Sequence, residues 1–392
     1  MTPAARVAAG AEILDLILEG EPAEKALTRW ARGSRFAGSK DRAAVRDHVF
    51  QALRCMRSFA ALGGADPMTG RSLMIGALRA EGADLAAFFT GEGHAPAPLD
   101  ETELAGGRTP EAGAEACDIP DWLWPAFEAA LGDEAVHEAS LMRERADVFL
   151  RVNTLLATAG EAQTALAEEG VLSEPHALSP TALRVTEGAR RVRLTQAFED
   201  GLIELQDAAS QAVVDWLPLE GVTRVLDYCA GGGGKSLAMA GCVKAQIVAS
   251  DIAPDRMKDL PARSTRAGAS IAVRSLEELA KEPSFDLVLC DAPCSGSGAW
   301  RRAPEGKWRL TAERLEELQG VQLEVLKAAK DLVSAGGTLA YVTCSLLRAE
   351  NEDLAARFMS ECPDWSCTAT RRWQPSLGGD GFFAATFARN SK

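Results

Sequence analysis

Histidine is scarce in this chain. Among 392 residues there are four, at positions 48, 94, 137 and 176, and none follows residue 176. That argues against a hydrolase with a histidine base in the C-terminal half. No run of about 18 apolar residues occurs, so a membrane span is not expected. The opening MTPAARVAAGAEILDLILEG lacks the unbroken apolar core of a secretory signal, because Glu12 and Asp15 interrupt it. It reads as an amphipathic helix. The nine cysteines follow no disulfide-framework spacing. With no export signal, a cytoplasmic protein with reduced thiols is expected. Cys290/Cys294 and Cys362/Cys367 have no histidine or further cysteine pair beside them, so no metal is expected.

Basic charge is also short. Forty-two Lys+Arg face 56 Asp+Glu, a net charge of −14. Bulk attraction for a polyanion is therefore not available. The deficit is local, however. Residues 81–138 carry 14 acidic residues and only Arg108 as a basic one, whereas the remaining 334 residues hold 41 basic against 42 acidic. Residues 25–57 carry nine Lys/Arg against Asp41 and Asp47, which leaves a basic face available at the front of the chain.

The composition, 47% hydrophobic and 25% charged, is that of a folded chain long enough for two or three domains. Residues 4–60 read as helices on the spacing of Ile13, Leu14 and Ile17 and of Val45, Val49 and Leu53. GADPMTG (64–70) is a turn cluster, and helical patterns resume over 71–89. Residues 91–120, rich in Gly, Pro and acid, read as a linker. Residues 121–205 read as a small α+β module, with a short helix in DWLWPAFEAALG, strand-like FLRVN, ALRVT and RVRLT, and a helix around 160–169. From 206 to 392 the pattern changes. VTRVLDYCA, AQIVAS, SIAVRS, FDLVLCDAP and GTLAYVTCS alternate with helical stretches, which predicts an α/β domain with a parallel sheet covered on both faces. Ligands of such folds bind at the carboxyl ends of strands.

The chemistry-bearing residues lie at those ends. The first strand runs into Asp227-Tyr228-Cys229-Ala230-Gly231-Gly232-Gly233-Gly234-Lys235-Ser236. As a phosphate loop, G-x4-G-K-[ST], it misses its first glycine, which falls on Cys229. As a nucleoside-binding turn it needs an acid at the end of the next strand. Asp251, 17 residues after Gly234, meets that need. The fourth strand ends in Asp291-Ala292-Pro293-Cys294-Ser295-Gly296-Ser297-Gly298 and the fifth in Thr343-Cys344-Ser345. Two thiols and a carboxylate at adjacent strand ends form a nucleophile-and-acid set. Cys229 and Cys290 read as small buried hydrophobes.

DYCAGGGGK, DAPCSGSG and TCS, in that order and spacing, resemble the RNA cytosine-5 methyltransferases of the RsmB/Nop/Sun type. Gln206–Ser210, Arg301-Arg302-Ala303-Pro304, Lys307-Trp308, Glu350-Asn351-Glu352, Gly379–Phe383 and Arg151-Val152-Asn153 resemble further segments of that family. SKDRAAVRDHVFQALR (39–54) resembles the NusB-like helical domain at the front of its bacterial 16S ribosomal RNA members. Here Gly231-Gly232 replace the Ala-Pro usual in the first motif, and Arg274-Ser275-Leu276 stands where the family usually has an acid near the adenine.

The resemblance implies a class I (Rossmann-like) S-adenosylmethionine-dependent methyltransferase domain, preceded by a small α+β RNA-binding module (121–205) and an all-α NusB-like domain (1–90). It implies Cys344 as nucleophile, Cys294 as the group assisting release and Asp291 as the ring-binding acid. S-adenosylmethionine would lie over Cys229, Ala230, Gly231, Gly232, Gly233, Gly234 and Lys235, with Asp251 on the ribose and Asp291 beside it. Arg301, Arg302, Lys307 and Trp308 would hold the RNA. The expected partner is RNA, ribosomal by the resemblance, bound in a salt-sensitive way by a monomer. The acidic linker would repel RNA from the wrong side. Three rival classes stand beside this one: a P-loop NTPase, a non-catalytic RNA-binding factor, and a DNA cytosine methyltransferase, which places its thiolate after the fourth strand.

Overall fold

Five helices open the chain. Thr2 caps α1 (Pro3–Leu18), its side chain accepting the Ala5 N–H at 3.1 Å. Proline at the first helical position loses no hydrogen bond there. α2 (Ala23–Gly33), α3 (Ser39–Arg54) and α4 (Met56–Gly63) follow, and Thr69 and Ser72 reciprocally cap α5 (Gly70–Ala80). Val45, Val49 and Leu53 of α3 are fully buried with Ile13 and Leu14 of α1 and Leu73 and Ile75 of α5. Each such side chain contributes about 1.5–3 kcal/mol by leaving water. In the computed structural model, which describes residues 1–390, these helices belong to one compact unit, residues 1–145 with 300–309. A second unit holds 146–299 and the chain from 310 onward.

Residues 91–120 are not the linker that their composition predicts. Ser58 donates from its N–H and its hydroxyl to the fully buried Asp118, at 2.9 and 2.8 Å, and Arg143 reaches the same carboxylate at 2.8 Å. Arg71 pairs with Glu103, and the Arg108 N–H donates to the Ala61 carbonyl at 2.9 Å. The glycines permit contact rather than freedom. A Cβ on Gly64 would lie 2.3 Å from the Gly107 nitrogen, and one on Gly107 would lie 2.3 Å from the Leu62 carbonyl oxygen. The helices Trp124–Leu131 and Ala135–Leu141, expected to open the α+β module, cluster with this first unit as well. Phe127 is fully buried there and stacks on Trp300.

The second unit opens at 146 with the sheet of the α+β module. Its sheet has the order β2-β3-β1-β4, from β1 (Phe149–Val152), β2 (Leu172–Pro175), β3 (Ala182–Glu187) and β4 (Ile203–Leu205), all antiparallel. The predicted helix is present at Ala159–Glu168. RVRLT is a 3-10 turn, Ala189–Leu194, and not a strand. Its two-residue alternation misleads because Val192 is buried while Leu194 is 78% exposed.

The larger sheet contains every strand expected after 206. It is built of β5 (Arg224–Asp227), β6 (Gln246–Ala249), β7 (Ile271–Val273), β8 (Phe285–Asp291), β9 (Val333–Thr343), β10 (Trp365–Trp373) and β11 (Phe382–Arg389), in the order β10-β11-β9-β8-β5-β6-β7. β5 to β9 pair in parallel, and β11 runs antiparallel between β9 and β10. Both faces are apolar. Leu226, Val288, Leu339 and Tyr341 pack with Leu323, Leu326 and Phe358, while Val225, Leu287, Leu289 and Val342 pack with Val213 and Met239. Strand order reverses at β5, which opens a crevice at the carboxyl ends of β5 and its neighbours.

Candidate active site

The turn leaving β5 is shaped for a ligand. Gly231 and Gly233 have φ of +52° and +79°, a backbone region costly for other residues. The helix Gly234–Cys242 starts there. Asp251 lies beyond β6 with its side chain 1% exposed. Its carboxylate accepts the Gly231 N–H at 2.8 Å and the Ala253 N–H at 2.9 Å. Arg256 also reaches Asp251, at 3.1 Å, but is 59% exposed and can be displaced by a ligand hydroxyl. Arg263 donates to the Gly232 carbonyl. Ala230 is buried. A bare-backbone turn beside a fixed carboxylate suits a ribose diol, so these residues fit an adenosyl ligand such as S-adenosylmethionine.

Lys235 does not behave as a phosphate-loop lysine. Its ammonium is buried and pairs with Asp291, at the end of β8, at 2.6 Å. It also lies 5.0 Å from the centre of the Phe382 ring. Burial disfavours its charge, but the Asp291 carboxylate outweighs that and holds the ammonium above its usual range. Asp227 sits beneath, accepting the Ser236 hydroxyl at 2.6 Å, and burial pushes its carboxyl up to about 7.

The two site cysteines meet. Cys294 follows β8, Cys344 follows β9, and their sulfurs are 3.4 Å apart. The hydrogen bond to Cys344, with burial behind it, pushes the Cys294 thiol well above its usual range. The Gly298 N–H donates to the Cys344 carbonyl at 2.9 Å and holds the two loops together. Cys290 is fully buried and Cys229 partly so, and burial raises both thiols.

Residues 214–387 match the family described as 16S rRNA methyltransferase RsmB/F, and residues 119–192 match its ferredoxin-like domain. The chain belongs to the RsmB/F family. It is 33% identical over 282 residues to the ribosomal RNA small subunit methyltransferase B of Citrobacter koseri, and 32% identical over 280 residues to that of Shigella flexneri. Each alignment covers 68% of this chain and 65% of the relative, so the likeness spans just under two thirds of those proteins. Among solved structures, PH0851 superposes with a TM-score of 0.77 at 24% identity, over 99% of both chains. A methyltransferase homolog protein from Pyrococcus horikoshii reaches 0.60 at 23% identity, over 70% of this chain and 96% of its own. These two share the fold, and together with the family match they show a Rossmann-like methyltransferase domain in a chain that begins with a helical domain.

Three of the residues expected to hold RNA are engaged inside the helical unit. Arg301, Lys307 and Trp308 lie in residues 300–309, which belong to that unit. Lys307 is 1% exposed and donates to the Arg54 carbonyl at 3.1 Å. Trp308 donates its indole N–H to the Leu53 carbonyl at 2.6 Å. Arg301 is buried, and its carbonyl accepts from Arg54 at 2.7 Å. These groups fill the C-terminal end of α3, where unsatisfied carbonyls attract cations. Arg302 is exposed. The available signal was Trp300 and Trp308 bracketing the basic residues, a mark of packing. Among the described residues, no cluster is placed to hold a metal ion, and no helix is long and apolar enough to cross a membrane.

Proposed function

We propose that this protein methylates carbon 5 of a cytosine in RNA through a covalent bond between Cys344 and carbon 6. The observation that carries the reading is the pair of thiols 3.4 Å apart at adjacent strand ends, beside the Lys235–Asp291 pair. Carbon 5 of cytosine is a poor nucleophile until a thiolate adds at carbon 6. S-adenosylmethionine, when bound, supplies an electrophilic methyl group. Asp291 faces the ring near N3, and the Lys235 ammonium offsets the negative charge that builds there. After transfer the carbon-5 proton must leave and the thioether must break. Cys294, against the Cys344 sulfur, assists that release.

The relatives' names support ribosomal RNA of the small subunit as substrate, hence 16S rRNA. A structured base must be flipped out to reach the strand ends. Phosphates are held at the front of the chain. Arg32, Arg35 and Arg42 line a shallow concavity with Thr28 and Ala31. Arg54 and Arg57, counted in the same basic face, are engaged inside the first unit and drop out of it. The protein acts as a monomer in the cytoplasm.

Methylation of 16S rRNA with labelled cofactor, mapped by bisulfite sequencing, tests the reading. Cys344→Ala should abolish product while cofactor affinity stays within about threefold. Turnover retained by that variant, or methyl groups found on a nitrogen or a ribose, refutes it.

A further inference from the structure

The residues that follow the two site cysteines converge on one buried carboxylate. Glu350 is 0% exposed. It accepts the Ser295 N–H at 2.7 Å, the Ser295 hydroxyl at 2.5 Å, the Ser345 hydroxyl at 2.5 Å and the Gln322 amide at 3.0 Å. Ser295 is the residue after Cys294, and Ser345 is the residue after Cys344. Gln322 donates also to the Pro293 carbonyl at 2.9 Å, just before Cys294. Asn351 continues the tie, donating to the Ser345 carbonyl at 2.8 Å and accepting from the Thr343 hydroxyl at 2.6 Å.

A carboxylate is an expensive way to fill a core. Burying one costs several kcal/mol unless its lone pairs are met. Here four donors from two loops and the helix Ala312–Ala329 meet them. Apolar side chains would bring stability without that desolvation, but they could not fix the register of two loops. We infer that Glu350 is a positioning residue: it clamps the loop after β8 to the loop after β9 and thereby sets the 3.4 Å approach of Cys294 to Cys344. It touches no reacting atom and acts through the two serines. The inference rests on the reading of the two cysteines proposed above. Release of the methylated base, which needs both sulfurs at one ring, is the step the clamp serves.

Glu350→Gln tests it. The amide nitrogen can meet the Ser295 and Ser345 hydroxyls only if both reverse to accept, so two charge-assisted bonds become weaker neutral ones. The kcat for RNA methylation should fall about 30-fold or more. KM for RNA and cofactor affinity should stay within threefold, and a covalent protein–RNA adduct should accumulate on denaturing gels. A merely structural loss would lower adduct and product together. Ser295→Ala and Ser345→Ala each remove one hydroxyl and keep the carboxylate; each should lower kcat about fivefold with KM unchanged. They decide the matter if Glu350→Gln does not fold. A wild-type protein that transfers no methyl group to cytosine overturns the reading of the site and the clamp with it. Methylation by the wild type beside variants whose kcat is within twofold, or whose KM alone changes, overturns the clamp alone.

Discussion

Lys307→Met separates a phosphate-binding lysine from a packed one. Burial lowers the Lys307 ammonium from 10.5 to about 8, against the opposing pull of Asp118. At about 1.4 kcal/mol per pH unit, holding that charge in the folded unit costs about 3 kcal/mol at pH 7. Methionine keeps the packing of the stem and removes the cost. The bond to the Arg54 carbonyl is given up, worth about 1 kcal/mol, and Asp118 loses a nearby cation. The expected net is a stabilisation of about 1–2 kcal/mol at pH 7. Because the folded pKa lies below the unfolded one, the wild type gains stability as pH rises from about 8 to 10.5. The advantage of the variant is therefore full below about 8 and gone by 10.5. Urea unfolding followed by tryptophan fluorescence should show a midpoint raised by roughly 0.5 M at pH 7, shrinking by pH 10. RNA affinity should not change. A variant destabilised at pH 7 by more than about 1 kcal/mol, or one that binds RNA tenfold more weakly, would refute the reasoning and return Lys307 to the RNA surface.

Cys294→Ala should slow turnover by about a hundredfold and leave a shifted protein–RNA band on a denaturing gel; a clean gel would remove its release role. Asp251→Ala should weaken S-adenosylmethionine binding about 10- to 100-fold by calorimetry, since a charged acceptor for the ribose is lost; unchanged affinity would place the ribose elsewhere. Neutralising Arg32, Arg35 and Arg42 to Gln should reduce the slope of log affinity against log salt by about 2, with the melting temperature unchanged. An unaltered slope would exclude that concavity as a phosphate site.

The strand-end site was legible because a parallel sheet brings its carboxyl ends to one edge whatever their distance in sequence. Residues 227–235, 251, 291–298 and 343–345 therefore belong together once the strands are recognised by their apolar runs. What stayed hidden is the partner of each side chain. Lys235 reads as a cofactor or loop residue, yet its nearest charge is Asp291, 56 positions away. Glu350 reads as part of a family motif, and nothing in its spacing announces Ser295 or Gln322. The partners of the basic stretch are hidden in the same way. Nothing in the spacing of Lys307 and Trp308 announces that the Arg54 and Leu53 carbonyls hold them.

The acidity of residues 81–138 illustrates the limit of counting. Glu103, Glu115, Asp118 and Asp121 pair with Arg71, Arg108, Arg143 and Arg57. Three of those arginines lie outside the counted window, so a segment sum of charge reports an imbalance that the folded unit partly cancels. Screening at physiological salt reduces what remains beyond about 8 Å. A free acidic linker repelling RNA from the wrong side is therefore not what the fold provides. Deleting residues 90–118 would remove Asp118 and leave the Ser58 N–H without its acceptor inside the helical unit. Any change in nonspecific RNA binding would then be inseparable from lost stability. The charges to vary instead are those at Arg32, Arg35 and Arg42, which among the described residues pair with no buried carboxylate; Arg42 donates only to the Ala37 carbonyl, at 3.0 Å, so removal changes attraction for phosphate and leaves the helices packed.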